Sequence, residues 1–122
     1  MGKQAGWNSK FGEAAEQHAA ALLRLAGLNV LRHRYRVRGG EIDLVARDGR
    51  TLVFVEVKAR RSRRFGAPAE AVTRDKQRRL LTAARAYLRE HPHHGPCRFD
   101  VIAIRSCGGT ATSRWMRDAF TA

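Results

Sequence analysis

Residues 40–60, GEIDLVARDGRTLVFVEVKAR, decide the fold, because their pattern predicts two strands joined by a tight turn. The turn is Asp48-Gly49, a strong hairpin signal between two runs of apolar and β-branched residues. Side chains on a strand repeat every second position, and paired residues share a face. With a two-residue loop, four charged residues therefore share one face: Glu41, Asp43, Glu56 and Lys58.

The opposite face of this hairpin is predicted to be continuous apolar core, formed by Ile42, Leu44, Ala46, Val53, Val55, Val57 and Ala59. Towards the turn the charged face also becomes apolar, with Val45, Leu52 and Phe54. A hairpin covered on both faces is typical of a central sheet.

Two elements are predicted before the hairpin. Helical spacing predicts a helix from Ser9 to Ala26, with an apolar face of Phe11, Ala14, Ala15, Leu22, Leu25 and Ala26. Residues 28–38 then alternate as a strand, whose arginines at positions 32, 34, 36 and 38 share one face. Such a face is either a solvated edge or a track for a phosphate backbone.

A second helix and a further strand are predicted after the hairpin. The helix is defined by Val72, Lys76, Leu80, Ala83, Ala84, Tyr87 and Leu88 and is ended by His91-Pro92. Residues 98–104 form a buried strand, and the tail with Trp115, Met116 and Phe120 closes the sheet edge or caps the core. The 122 residues are expected to form a single domain, residues 1–122.

The charge of the chain points to a polyanionic partner. The net charge is +13, and 20 of the 24 cationic residues are Arg, which grips phosphate oxygens bidentately. Nucleic acid, DNA in the first place, is the expected partner; a charge that serves only solubility is the alternative. The two cysteines suggest neither a disulfide framework nor a zinc site, and no membrane span or signal peptide is predicted. A cytoplasmic location is expected.

The charged face of the hairpin carries the candidate chemistry. Asp43 and Glu56 are predicted to lie diagonally across the two strands, close enough to converge on one ion. Two clustered carboxylates need a cation, a shared proton or arginines, and oxygen ligands favour Mg²⁺ or Mn²⁺. Lys58 would then orient or deprotonate an attacking water, or would simply pair with Glu56 or Glu41.

The order acidic residue, turn, Glu-x-Lys resembles the core of the PD-(D/E)xK nucleases, with Asp43, Glu56 and Lys58 at the matching positions. More closely, FGEAAEQHA, GGEIDLVARDG, VFVEVKAR, FGAPAEAVTRDKQRRL and RFDVIAI are similar to the YraN-like family of small bacterial endonuclease-like proteins. Ile42 stands where the nuclease signature has Pro, a position that supplies no ligand.

This resemblance implies a restriction-endonuclease-like fold similar to that of archaeal Holliday-junction resolvases, with a mixed central sheet flanked by helices. It also implies that Glu13 of the first helix reaches the metal site, and that the backbone carbonyl of Val57 is a further metal ligand. Asp43, Glu56, Lys58 and Glu13 are the expected catalytic residues.

Several cations are candidates for nucleic-acid binding: Arg34, Arg36, Arg60, Arg61, Arg63, Arg64 and Lys76. Lys76 either extends to solvent or reaches the scissile phosphate. Asp100 either supports the active-site lysine or forms an ordinary ion pair, for example with Arg98.

The expected function is that of a metal-dependent nuclease acting on DNA, including branched repair or recombination intermediates. A non-catalytic nucleic-acid-binding module in a repair or recombination assembly is the alternative, and a partner of acidic proteins ranks third. If the substrate is a two-fold symmetric junction, two sites and hence a homodimer are required.

Overall fold

Two helices and five strands make up the described chain, which covers residues 9–61, 72–107 and 109–120 of a computed structural model. In chain order they are α1 (Ser9–Leu25), β1 (Asn29–Val37), β2 (Gly40–Asp48), β3 (Thr51–Arg61), α2 (Arg74–Glu90), β4 (Cys97–Cys107) and β5 (Thr110–Phe120). The strands form one mixed sheet in the order β1-β2-β3-β4-β5. Only β3 and β4 are parallel, and α2 lies in the crossover between them.

The two helices cover opposite faces of the sheet, as expected from a hairpin that is apolar on both sides. α1 packs on the face that carries Val53, Val55 and Val57, the alternate residues of β3 predicted as core. α2 packs on the other face, against an aromatic cluster that includes Phe54 and Phe99. The mixed α/β architecture predicted from the sequence is therefore confirmed.

The predicted apolar face of α1 is correct in part. Ala15 is buried and Leu22 packs against the core, but Ala14 and Ala26 are exposed and Leu25 is 85% exposed. The structure also buries Ala19, Ala20 and Leu23, which the predicted face does not include. The helix ends at Gly27, which has a φ of +94°, and the Leu28 amide donates to the Leu23 carbonyl at 3.0 Å. This geometry is a Schellman motif, so the predicted glycine stop is confirmed.

The register of the β2–β3 hairpin differs from the prediction by two residues. Asp48 pairs with Thr51, so that the loop is Gly49-Arg50 rather than Asp48-Gly49. Gly49 is the first loop residue and has a φ of +62°, as in a type II′ turn, which needs positive φ only at that position. Because side chains alternate along a strand, a shift of two residues leaves each side chain on its predicted face. If the β2–β3 ladder continued in this register, Asp43 would lie opposite Glu56 instead of Phe54.

Both ladders of β2 are interrupted at Asp43. The β2–β3 pairing ends at Leu44/Val55, and the β1–β2 pairing passes from His33/Leu44 to Tyr35/Ile42 without a pair between. Leu44 packs in the α1 cluster but Ile42 packs in the α2 cluster, although regular alternation would place both on one face. The prediction that Ile42 shares the face of Leu44 is therefore wrong, because β2 turns over at Asp43.

The interruption in β1 also separates its arginines. Arg32 lies over the Tyr35 ring, with its Cζ 5.2 Å from the ring centroid, and Tyr35 belongs to the α2 cluster. Arg34 instead contacts Glu16 of α1, on the other side of the sheet. The predicted single face of four arginines is therefore wrong.

α2 approaches the start of β2 closely because Gly40 has no side chain. A Cβ at Gly40 would collide with the Arg79 carbonyl oxygen and would lie 3.0 Å from the Ala83 amide nitrogen. This contact fixes α2 against the strand that carries Asp43. Within the described residues, neither helix combines the length and apolar character required to cross a membrane.

Asp100 holds β5 against β4 through hydrogen bonds to Trp115 and Asp118. Its carboxylate is fully buried and accepts hydrogen bonds from Arg98 Nε at 3.0 Å, Trp115 Nε1 at 2.9 Å and the Asp118 amide at 2.9 Å. Of the two alternatives left open by the sequence, the structure thus shows an ion pair with Arg98.

Candidate active site

The candidate site lies where the β2–β3 ladder ends and three elements meet. β2 carries Asp43, β3 carries Glu56 and Lys58, and the first turn of α2 carries Lys76. Lys76 is held in that turn because its amide donates to the side chain of Thr73, the N-cap residue, at 3.1 Å. The structure therefore brings together the acidic pair and both lysines singled out in the sequence.

Asp43 points into the gap between β2 and β3. Its side chain is buried, and its Oδ2 accepts a 2.7 Å hydrogen bond from the Val57 amide, which a regular ladder would pair with the backbone of β2. The backbone of Val57, predicted to supply a carbonyl ligand, thus lies at the site. The carboxyl of Glu56 lies close enough to Asp43 for its negative charge to raise the pKa of Asp43.

Burial and mutual repulsion set the protonation of this pair. Burial, followed by the negative charge of Glu56, raises the pKa of Asp43 well above its ordinary value. Burial also raises the pKa of Glu56, against the opposing effects of Lys76 and Lys58. Asp43 therefore keeps its proton to a higher pH than an exposed carboxyl does.

A hard divalent cation fits this pair, because such an ion can neutralise the two adjacent carboxylates and prefers oxygen ligands. In the described part of the chain, no three His, Cys, Asp or Glu side chains are arranged to hold a metal ion. The protein would therefore contribute the Asp43 and Glu56 carboxylates, and water, backbone or substrate oxygens would complete the ligand set.

The two lysines lie on the α2 side of the acidic pair. Lys76 Nζ is 3.6 Å from Glu56 Oε2, so the structure places Lys76 at the site rather than in solvent alone. Burial first, and then the charge of Lys76, lowers the pKa of Lys58. The two amines are therefore close enough for the charge of Lys76 to make protonation of Lys58 less favourable.

A third carboxylate near Asp43 is Glu16, which sequence reasoning missed. Glu16 is 4% exposed, forms a 3.0 Å ion pair with Arg34 Nε and helps to raise the pKa of Asp43. Glu13, expected to reach the metal, is exposed on α1, although its charge contributes to the raised pKa of Arg34. The sequence pattern that indicates Glu16 is its helical spacing from Ala19, Ala20 and Leu23, which places this charged residue on the buried face of α1.

The predicted phosphate-binding arginines lie in different settings. Arg34 is engaged with Glu16, whereas Arg36 is 56% exposed and pairs with Glu41 at 3.2 Å. Arg60 is exposed near the end of β3, and Arg61 is the last residue of that strand. Arg63 and Arg64 lie outside the described residues.

Comparison with known proteins identifies relatives over nearly the whole chain. A UPF0102 protein of Symbiobacterium thermophilum is 49% identical over 115 residues, covering 93% of this chain and 98% of the relative. One of Ralstonia nicotianae is 55% identical over 114 residues, covering 89% and 85%. The family model described as "Uncharacterised protein family UPF0102" matches residues 15–104, which include Glu16 and all four residues of the acidic pair and lysines. The chain thus belongs to the UPF0102 family, in agreement with its resemblance to the YraN-like proteins.

Proposed function

We propose that the protein is a metal-dependent nuclease of the PD-(D/E)xK type that hydrolyses phosphodiester bonds in DNA. The observation that carries this proposal is the proximity of the buried Asp43 carboxyl to the carboxyl of Glu56, whose side chain is only 12% exposed, with Lys58 and Lys76 beside them. A purely structural network would pair each carboxylate with a cation, whereas here Lys76 pairs with Glu56, and Asp43 lies against the negative charge of Glu56. That arrangement stores repulsion which a divalent ion relieves.

The topology supports a restriction-endonuclease-like assignment. The acidic residue lies on β2, Glu-x-Lys lies on the next strand, and the mixed sheet is covered by a helix on each face. These are the features expected from the resemblance to PD-(D/E)xK nucleases. Fold alone does not specify chemistry, so the proposal depends on the site.

The roles of the residues follow from their positions. Asp43 and Glu56 would hold Mg²⁺ or Mn²⁺, which supplies Lewis-acid stabilisation of the charge that builds on the phosphoryl oxygens. Lys58, whose lowered pKa favours a neutral amine, accepts a proton from the attacking water. Lys76 keeps its position through Glu56 and provides positive charge for the phosphate.

The test is a cleavage assay on duplex, flap, single-stranded and four-way-junction DNA with Mg²⁺, Mn²⁺ or EDTA. We expect products with either ion and none in EDTA, and the preferred DNA identifies the substrate. Tight DNA binding without metal-dependent products on any of these DNAs would contradict the nuclease and favour the non-catalytic binding module.

The outer surface of α2 offers a path for the phosphate backbone of the substrate. Four exposed arginines, Arg74, Arg78, Arg85 and Arg89, fall within an arc of about 60° and span about 22 Å at helical geometry. Arg78 pairs with Asp75 at 2.9 Å, but the other three form no ion pair with a described residue. The stripe begins in the same helical turn as Lys76, so it extends the positive charge of the site along the helix.

We predict that Arg85→Gln weakens duplex DNA binding and lowers the slope of log affinity against log salt by about 0.9, the value for one lost phosphate contact. Arg24→Gln is the matched control, because Arg24 is an exposed helical arginine on α1, across the sheet. Fluorescence anisotropy at several salt concentrations in EDTA measures both slopes. Equal slopes for Arg85→Gln and the wild type would exclude a contact between α2 and the DNA phosphates, without affecting the proposed chemistry.

A further inference from the structure

We propose that the ion pair between Glu16 and Arg34 positions Asp43, by holding the β1 backbone at Arg34 in a left-handed conformation. Arg34 is then a positioning residue inside the fold rather than a ligand of the substrate phosphate. The inference deepens the proposed function, since its consequence for catalysis rests on the role of Asp43 there.

The backbone at Arg34 needs an external contact to hold it. Arg34 has a φ of +50°, in a region that residues with a Cβ adopt rarely and that is most unusual inside a strand. No glycine or asparagine is present there to make the conformation easy. A neighbouring interaction must therefore stabilise it.

Glu16 supplies that contact from a fixed place. Its helix is anchored by Ala19, Ala20 and Leu23, which are all fully buried against the sheet. The Glu16 side chain is only 6% exposed and lies 3.0 Å from Arg34 Nε. A carboxylate buried to this extent needs a partner, so the pair holds α1 and β1 together at this residue.

The conformation at Arg34 determines the direction of Asp43. Arg34 and Asp43 would be partners in a regular β1–β2 ladder, but this pair is missing and β2 turns over at the same point. The turnover directs the Asp43 carboxyl into the gap beside β3, where it meets the Val57 amide at 2.7 Å. Without the left-handed residue, β2 would continue its ladder and Asp43 would no longer reach Val57.

The Val57 amide reports the position of Asp43 without metal or substrate. A short hydrogen bond to a carboxyl shifts the amide proton downfield and protects it from exchange. We compare the wild type with Glu16→Met and Arg34→Gln by two-dimensional NMR in EDTA, and Asp43→Ala gives the reference for a lost bond. Met preserves the length and helix propensity of Glu16 while it removes the charge and the acceptor.

We expect both variants to move the Val57 amide proton upfield, towards its position in Asp43→Ala, and to exchange it about tenfold faster. The double variant Glu16→Met/Arg34→Gly should restore the wild-type shift, because glycine adopts positive φ without help and no buried charge is left unpaired. Arg36→Gln is the control for loss of a β1 arginine and should leave Val57 unchanged. Dispersed spectra show that each variant folds.

Two results would overturn the inference: a wild-type Val57 signal in both single variants, or failure of glycine to restore it in a folded double variant. Neither result depends on cleavage, so the inference and the nuclease proposal fail separately. In an active enzyme, Arg34→Gln should lower kcat at unchanged KM for DNA, whereas a phosphate ligand would raise KM.

Discussion

The Glu56→Gln variant is expected to lose metal-dependent cleavage by about a thousandfold or more, while its DNA affinity in EDTA stays near that of the wild type. Gln retains the shape of Glu56 but not its negative charge, so it cannot neutralise a divalent ion. Single-turnover cleavage and anisotropy on the same DNA measure the two quantities.

Lys58→Met tests the other half of the site. It should give a loss of similar size, because it removes the amine that accepts a proton from water. Loss of activity in both variants with DNA binding preserved separates a catalytic role from a role in holding the substrate.

Glu41→Gln is the matched control for these variants. Glu41 belongs to the same predicted charged face, but its side chain is 43% exposed and pairs with Arg36 at the surface. It should retain activity within about threefold, as expected of a surface ion pair. Equal losses in Glu41→Gln and Glu56→Gln would mean that general negative charge, rather than the buried pair, controls the reaction.

The sequence could predict the acidic pair because a register error of two residues leaves every side chain of a strand on its predicted face. The hairpin loop was misplaced by one position, and the register changed by two residues. Since side chains alternate with a period of two, Glu56 and Lys58 still share a face with Phe54. The same shift brings Asp43 towards the position opposite Glu56, closer than the predicted diagonal.

In α1, helical periodicity did not identify the whole buried face. The helix is rich in alanine, so that several stripes of small residues compete, and the predicted face includes Ala14 and Leu25 rather than Ala19 and Leu23. The site role expected for Glu13 comes from the family resemblance, whereas Glu16, one turn further along α1, lies beside the buried residues Ala19 and Ala20. Alanine is small enough to be buried or exposed at little cost, and its position therefore gives a weak signal of phase.

The interruption at Arg34 could not be read from the sequence. Alternating apolar and basic residues predict a regular strand, and nothing local in that pattern indicates a positive φ at an arginine. The cause lies in a contact with α1, eighteen residues earlier in the chain. Long-range ion pairs of this kind override the local pattern and are visible only in three dimensions.

The same buried pair predicts that Asp43→Asn stabilises the metal-free protein. Asparagine can still accept the Val57 hydrogen bond, but it removes a buried charge from contact with Glu56. In EDTA near pH 7 we expect a gain of about 1–2 kcal/mol in the free energy of unfolding. For a domain of this size the melting temperature should rise by roughly 4–10 °C.

The pH dependence gives the sign of this effect. Burial and Glu56 raise the pKa of Asp43 in the folded protein, so the folded state holds this proton more tightly than the unfolded chain. As pH rises above about 4, the unfolded chain ionises first, and the stability of the wild type falls until Asp43 also ionises in the folded state. Asp43→Asn should lack this decline, and its advantage over the wild type should therefore grow from pH 4 towards neutral pH.

Addition of a divalent ion should reverse the order of stability. Mn²⁺ at about a hundred times its dissociation constant should stabilise the wild type by about 2.7 kcal/mol and leave Asp43→Asn nearly unchanged, since the variant has lost a ligand. Asp48→Asn is the control from the same strand, because it removes the 3.1 Å ion pair with Arg98 instead. That variant should lose stability in EDTA and still respond to Mn²⁺. A metal-free Asp43→Asn that melts below the wild type at pH 7 would show that the two carboxyls do not oppose each other in the folded protein and leave no repulsion for a cation to relieve.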